Sequence, residues 1–152
     1  MNLNLSDLLR KGTVEQFQSS KDQIRDTMQL AVRDVSTARK ILAIDADWAY
    51  NIAFNGMLQA GRALMFFKGY RPRGPDHHLT VVQFTEAVFK SKFADEMLQH
   101  FERARRRRSI LTYDQQGGIS ATQAETSVDI ADTFVTKAIE IVGLPLRSPE
   151  KK

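Results

Sequence analysis

"WAYNIAFNGMLQAGRALMFFK", residues 48 to 68, has apolar or small side chains on two sides of one helix. At 3.6 residues per turn, Ala49, Ala53, Gly56, Ala60 and Ala63 fall on one side, and Tyr50, Phe54, Leu58, Gly61 and Met65 on the other. A helix dressed on both sides is either central to a fold or part of a subunit interface. Its two interior glycines each cost about 1 kcal/mol of helix stability relative to alanine, so close packing by neighbouring helices must offset them. Asp45 or Asp47 can cap its start, and Gly69 suits the residue just past its end.

The flanking sequence supplies the neighbours. Residues 21 to 43 place Ile24, Met28, Ala31, Val35, Ala38 and Leu42 on one stripe at alternating steps of four and three, an amphipathic helix. After "KGYRPRGPDHH", a loop by its prolines and glycines, a long helical stretch is predicted from about Thr80 through the arginines to Leu111 or Thr112, where "DQQGG" ends it. Ser120 can cap a last helix carrying Ala124, Val128, Ala131, Val135, Ala138 and Val142 at the same spacing. No strand-length stretch alternates with period two. The expected fold is therefore all-α: an antiparallel up-and-down four-helix bundle over residues 21–143. A short extra helix near Leu5 to Leu9 lies in an N-terminal extension, 1–20, and residues 144–152 form a flexible tail.

With 152 residues, 42% hydrophobic and 26% charged, the chain suits one globular domain with a core. It has no cysteine, which excludes disulfides, thiolate metal sites and cysteine nucleophiles. No Glu-x-x-His pair occurs, and the adjacent His77 and His78 do not share a face, so neither a metal nor another cofactor is expected. No window approaches a membrane span and the N-terminus lacks a signal-like apolar run, so a cytoplasmic protein without membrane contact is expected.

Charge is concentrated rather than merely positive. Of 22 basic residues, five lie within Arg103 to Arg108, which points to a polyanionic partner. On a helical projection Arg107 and Arg108 fall in or beside the apolar stripe of Phe93, Met97, Phe101, Ala104 and Leu111, while Arg105 and Arg106 point elsewhere. A guanidinium at the core must meet a partner. It pairs with an acid across the bundle, for which Asp34, Asp129 and Asp132 are available, or it faces a cleft. His100 shares that stripe and reads as a hydrogen-bonded core histidine, whereas His77 and His78 read as surface or helix-capping residues. The expected nucleic-acid contacts are Arg103, Arg105, Arg106 and Arg107, joined by Arg71 and Arg73 of the loop.

The order of "YNIAFNGMLQAGRALMFFKGYRP", a loop with "HH", and "RRRRSILTYD" before a final amphipathic helix resembles the HEPN superfamily of small helical domains over residues 21–143. Its anchors are Tyr50, Ala60, Leu64, Gly69, Tyr70, Pro72, His78, Arg108 and Tyr113. The resemblance implies a homodimer, RNA or nucleotide binding, and a nucleotidyltransferase partner of the kind found in toxin–antitoxin pairs. It also implies a functional centre at Arg108, which matches the arginine of the family's metal-independent endoribonucleases. Tyr113 stands where those enzymes carry histidine. A phenol titrating near pH 10 is a poor base at neutral pH but a good hydrogen-bond partner for phosphate. Binding is thus the leading expectation, with endoribonuclease activity and a non-catalytic protein interaction module as alternatives.

Overall fold

A computed structural model describes residues 3–113 and 118–146, the side chains of 108–113 excepted. The chain runs α1 (Leu5–Lys11), β1 (Val14–Gln16), α2 (Lys21–Ile41), α3 (Ala46–Lys68), β2 (Tyr70–Pro72), α4 (His77–Phe89), α5 (Asp95–Tyr113) and α6 (Ala121–Val142). The structure is mostly helical, as the periodicities imply.

Four of the helices start where a short polar side chain satisfies an orphan amide. Ser20, Asp45, Asp76 and Ser120 cap α2, α3, α4 and α6. Gly69 ends α3 at φ 92°, a left-handed conformation that side chains resist.

The two-sided α3 is central. α2, α4, α5, α6 and β2 all pack against it. Ala49, Ala53, Ala60 and Ala63 on one side and Phe54 and Met65 on the other are 0% exposed, so this chain covers both stripes by itself. Gly56 sits against Ala31 and Val35 of α2, and Gly61 against Val81 and Thr85 of α4. At both glycines a neighbouring helix occupies the space a side chain would take, and the buried contact offsets their cost in helix propensity.

Two expectations are corrected. The long helix predicted from Thr80 is two helices, broken at 90–94. Phe93 lies in the break yet stays buried and stacks on Phe134 of α6, ring centroids 4.5 Å apart. Its inward side chain keeps the apolar spacing continuous across a backbone that is not helical. The 68–78 segment is also not wholly a loop, because β2 pairs antiparallel with β1, Glu15 opposite Arg71. Three-residue strands are too short for alternation to show, and their pairing joins segments far apart in sequence.

That pairing ties the N-terminal extension to the rest. Leu8 and Val14 belong to the same buried cluster as the helices that follow. At the other end the Pro145 carbonyl accepts a hydrogen bond from Arg25, 2.9 Å, while residues 147–152 lie outside the described residues.

Candidate nucleic-acid interface

The arginines of α5 divide into two sets. Glu102 accepts from Arg105, with Nη2 at 2.6 Å, and lies 3.7 Å from Arg106. Among the described residues, Arg103 and Arg107 take part in no ion pair. Four residues apart, they share one side of α5 and flank a cleft between α5, the first turn of α3 and the first turn of α6.

The cleft is built by all three helices. Its volume is about 270 Å³, and Tyr50, His100, Ile119, Thr122, Gln123 and Thr126 complete its walls. The Asp47 carboxylate accepts from the Ile119 amide at 3.2 Å, tying the start of α3 to the segment leading into α6. Ser120 and Gln123 cap each other reciprocally at the start of α6, so the positive end of that helix dipole lies at the cleft. Arg107 Nη2 donates to the Gly118 carbonyl at 2.7 Å, which fixes its guanidinium at the rim.

Burial sets the protonation states. His100 is 7% exposed, and its Nε2 lies 3.0 Å from Ser127 Oγ. Burial, reinforced by the Arg103 cation, pushes its pKa down to about 4. The Tyr50 ring meets the imidazole edge-on at 6.2 Å. Burial raises the pKa of its phenol, while Arg107 and Arg103 pull it down. At neutral pH the cleft therefore offers two guanidinium cations over an uncharged imidazole and phenol, with hydroxyls from Thr122 and Thr126 beside them. Such a set suits a phosphate oxygen. It is poorly suited to proton abstraction, because an imidazole with a pKa of about 4 is a weak base at pH 7.

The sequence-based candidates fare unequally. Arg103 and Arg107 meet at the cleft, Arg105 is held by Glu102, and Arg106 is exposed. Arg107 does not enter the core as its projection suggested: its long side chain reaches past the apolar stripe to the surface. The acids proposed as its partners are engaged elsewhere. Asp34 accepts from Arg33 and Asn55, and Asp129 and Asp132 from Arg39. Arg108 and Tyr113 lie on α5, but their side chains fall outside the described residues.

Arg71 and Arg73 belong to a different place, at the opposite end of α3. The axial distance from Tyr50 to Phe66 is roughly 24 Å at 1.5 Å per residue. His77 is exposed at the first residue of α4, and His78 packs edge-on against Phe54 at 5.9 Å.

His100 is the hydrogen-bonded core histidine the sequence suggested, but it also lines the cleft. Its signal was present, since His100, Arg103 and Arg107 follow one another at steps of three and four. The contributions of Tyr50, Thr122, Gln123 and Thr126 have no such signal, because the cleft joins helices distant in sequence.

No protein-family model matches the chain, and no curated protein matches it. Among the described residues no group of three or more His, Asp or Glu side chains could hold a metal ion, and no helix is long and apolar enough to cross a membrane.

Proposed function

We propose that this protein binds the phosphates of RNA or a nucleotide in the cleft between α5 and α6. Arg103 and Arg107 clamp the phosphate, and Tyr50 and the α6 hydroxyls orient it. The observation that carries this reading is the pair of guanidinium groups without a carboxylate partner among the described residues, set beside the start of α6. In this reading α2, α3, the α4–α5 pair and α6 are the members of an antiparallel bundle of the HEPN type. Arg108 and Tyr113 extend the phosphate surface along α5. The working unit is a homodimer in the cytoplasm with a nucleotidyltransferase partner. Binding rather than cleavage is favoured because the histidine in the cleft is too weak a base.

Fluorescence anisotropy with a short single-stranded oligoribonucleotide, in EDTA and across a salt series, tests the reading. Binding is expected to weaken steeply with salt. Arg103→Ala with Arg107→Ala should lower the slope of log affinity against log salt by about 2 without moving the melting temperature. No binding by the wild type, or binding indifferent to both substitutions, refutes it. RNA cleavage in EDTA that Arg108→Ala abolishes would replace it by the endoribonuclease reading.

A protein-only interaction module is the second reading. Ile44 and Trp48, at the turn into α3 and its first turn, are 82% and 60% exposed. An exposed tryptophan of this kind is common at protein interfaces. Sedimentation of Trp48→Ala against wild type tests it, a shift in assembly state being the supporting result.

A further inference from the structure

The β1–β2 pair builds a second basic cavity that the α5 cleft does not use. Its volume is about 430 Å³, and Arg62, Arg71, Arg73 and His77 line it with Phe17 and Phe66. Glu15 is the single acidic side chain of its wall.

Two of the arginines there are held in place before any ligand arrives. Arg71 lies over the Phe17 ring at 4.5 Å, Phe17 packs on Phe66 with centroids 5.7 Å apart, and Arg62 lies over Phe66 at 5.6 Å. Cation, ring, ring and cation thus form one chain of contacts from β2, through the residue after β1, to α3. The strand pair fixes Arg71 opposite Glu15, whose Oε2 accepts from Arg71 Nε at 2.6 Å. That contact occupies one edge of one guanidinium. Arg62 donates to the uncharged Gln59, and the Arg73 amide is anchored on the Thr13 carbonyl at 2.8 Å, so neither charge meets a carboxylate among the described residues. α4 begins at the same wall with His77, capped by Asp76, and turns the positive end of its dipole toward the arginines.

We propose that this cavity is a binding site for a terminal phosphate, the phosphomonoester or polyphosphate end of a nucleotide, separate from the α5 cleft. Two guanidinium groups fixed on aromatic faces, and a third carried by the residue after β2, whose backbone is anchored, match a compact anion with several oxygens. A dianionic terminal phosphate meets that charge better than the single negative charge of a diester in a chain. The inference does not depend on RNA binding at α5.

Arginine side-chain Nε–Hε signals, followed by NMR during titration, read the site directly. The probes are inorganic pyrophosphate, ATP and an oligoribonucleotide with 5′-hydroxyl and 3′-hydroxyl ends. Pyrophosphate and ATP are expected to move the Arg62, Arg71 and Arg73 signals saturably, and the oligoribonucleotide is expected to leave them in place. Arg73→Ala removes an exposed side chain and should weaken pyrophosphate binding roughly tenfold, with the melting temperature unchanged. With Arg103→Ala and Arg107→Ala combined, pyrophosphate should still move the Arg62, Arg71 and Arg73 signals with the same midpoint, whatever is lost at the α5 cleft. Absence of saturable shifts at Arg62, Arg71 and Arg73, equal affinity in Arg73→Ala, or equal response to the end-free oligoribonucleotide would overturn the proposal. Each of those results leaves the α5 anisotropy assay to stand or fall alone.

Discussion

Replacing Gly61 by alanine sets two known effects against each other. A Cβ built at Gly61 would meet Val81 Cγ1 at 2.5 Å, Thr85 Oγ1 at 3.3 Å and Phe101 Cε2 at 3.7 Å. Optimal carbon contacts lie at about 3.5–4.0 Å, so the first of these is a full overlap. Val81 is 0% exposed, and Thr85 is locked by its hydroxyl bond to the Val81 carbonyl at 2.8 Å, so neither can swing into solvent. Alanine contributes about 1 kcal/mol of helix propensity, while overpacking a closed core costs about 1–3 kcal/mol. With the overlap this severe the upper figure applies, for a net loss of about 2 kcal/mol and a melting temperature about 4–8 °C lower at this chain length. Thermal and urea unfolding followed by circular dichroism measure both numbers.

Gly56→Ala is the internal control. There the nearest atoms, Val35 Cγ2 and the Ala31 carbonyl, lie at 3.1 and 3.3 Å, and the propensity gain should roughly cancel the crowding. Val81→Ala combined with Gly61→Ala should cost less than the sum of the two, a coupling that locates the clash. A Gly61→Ala protein as stable as wild type would refute the claim that α3 and α4 are in closed contact at this glycine.

Three other outcomes follow from buried groups. His100 has a pKa lowered to about 4 against an ordinary 6.5, so the unfolded chain takes up its proton first. Its contribution, about 3 kcal/mol, is complete above pH 6.5 and is lost as the pH falls toward 4; His100→Gln should flatten that acid limb in urea melts at stepped pH. Asp34 is 5% exposed and takes a 2.8 Å bond from Asn55 Nδ2, so Asp34→Ala should cost about 2 kcal/mol in chemical denaturation by leaving that amide unpaired. Leu8→Ala should cost about 2–5 kcal/mol if α1 is part of the common core, and a loss under about 1 kcal/mol would make it a separable appendage.

The helices were legible where burial has a local period. The stripe of α2, the two-sided face of α3 and the caps at Asp45 and Ser120 can each be read within one segment, because each depends on the geometry of that segment alone. The break at 90–94 was hidden because Phe93 points inward either way. The strand pair was hidden because Val14 and Pro72 meet through tertiary contact, not local pattern. The same division holds at the cleft. His100, Arg103 and Arg107 share a helix face and could be grouped from spacing. That Tyr50 and the start of α6 close the cleft depends on how three helices cross, and Arg107's turn outward depends on the length of its own side chain.

The position of α3 has a consequence for synthesis. A helix apolar on two sides is complete at residue 68, yet α6, which covers part of it, is complete only at residue 142. At about 5–20 residues per second the interval is roughly 4–15 s. During that interval part of α3 presents Ala, Phe and Met side chains with no final neighbour, the kind of surface chaperones hold. The nascent chain is therefore most prone to aggregation in the middle of its translation, and a pause between the codons for α5 and α6 would extend that window.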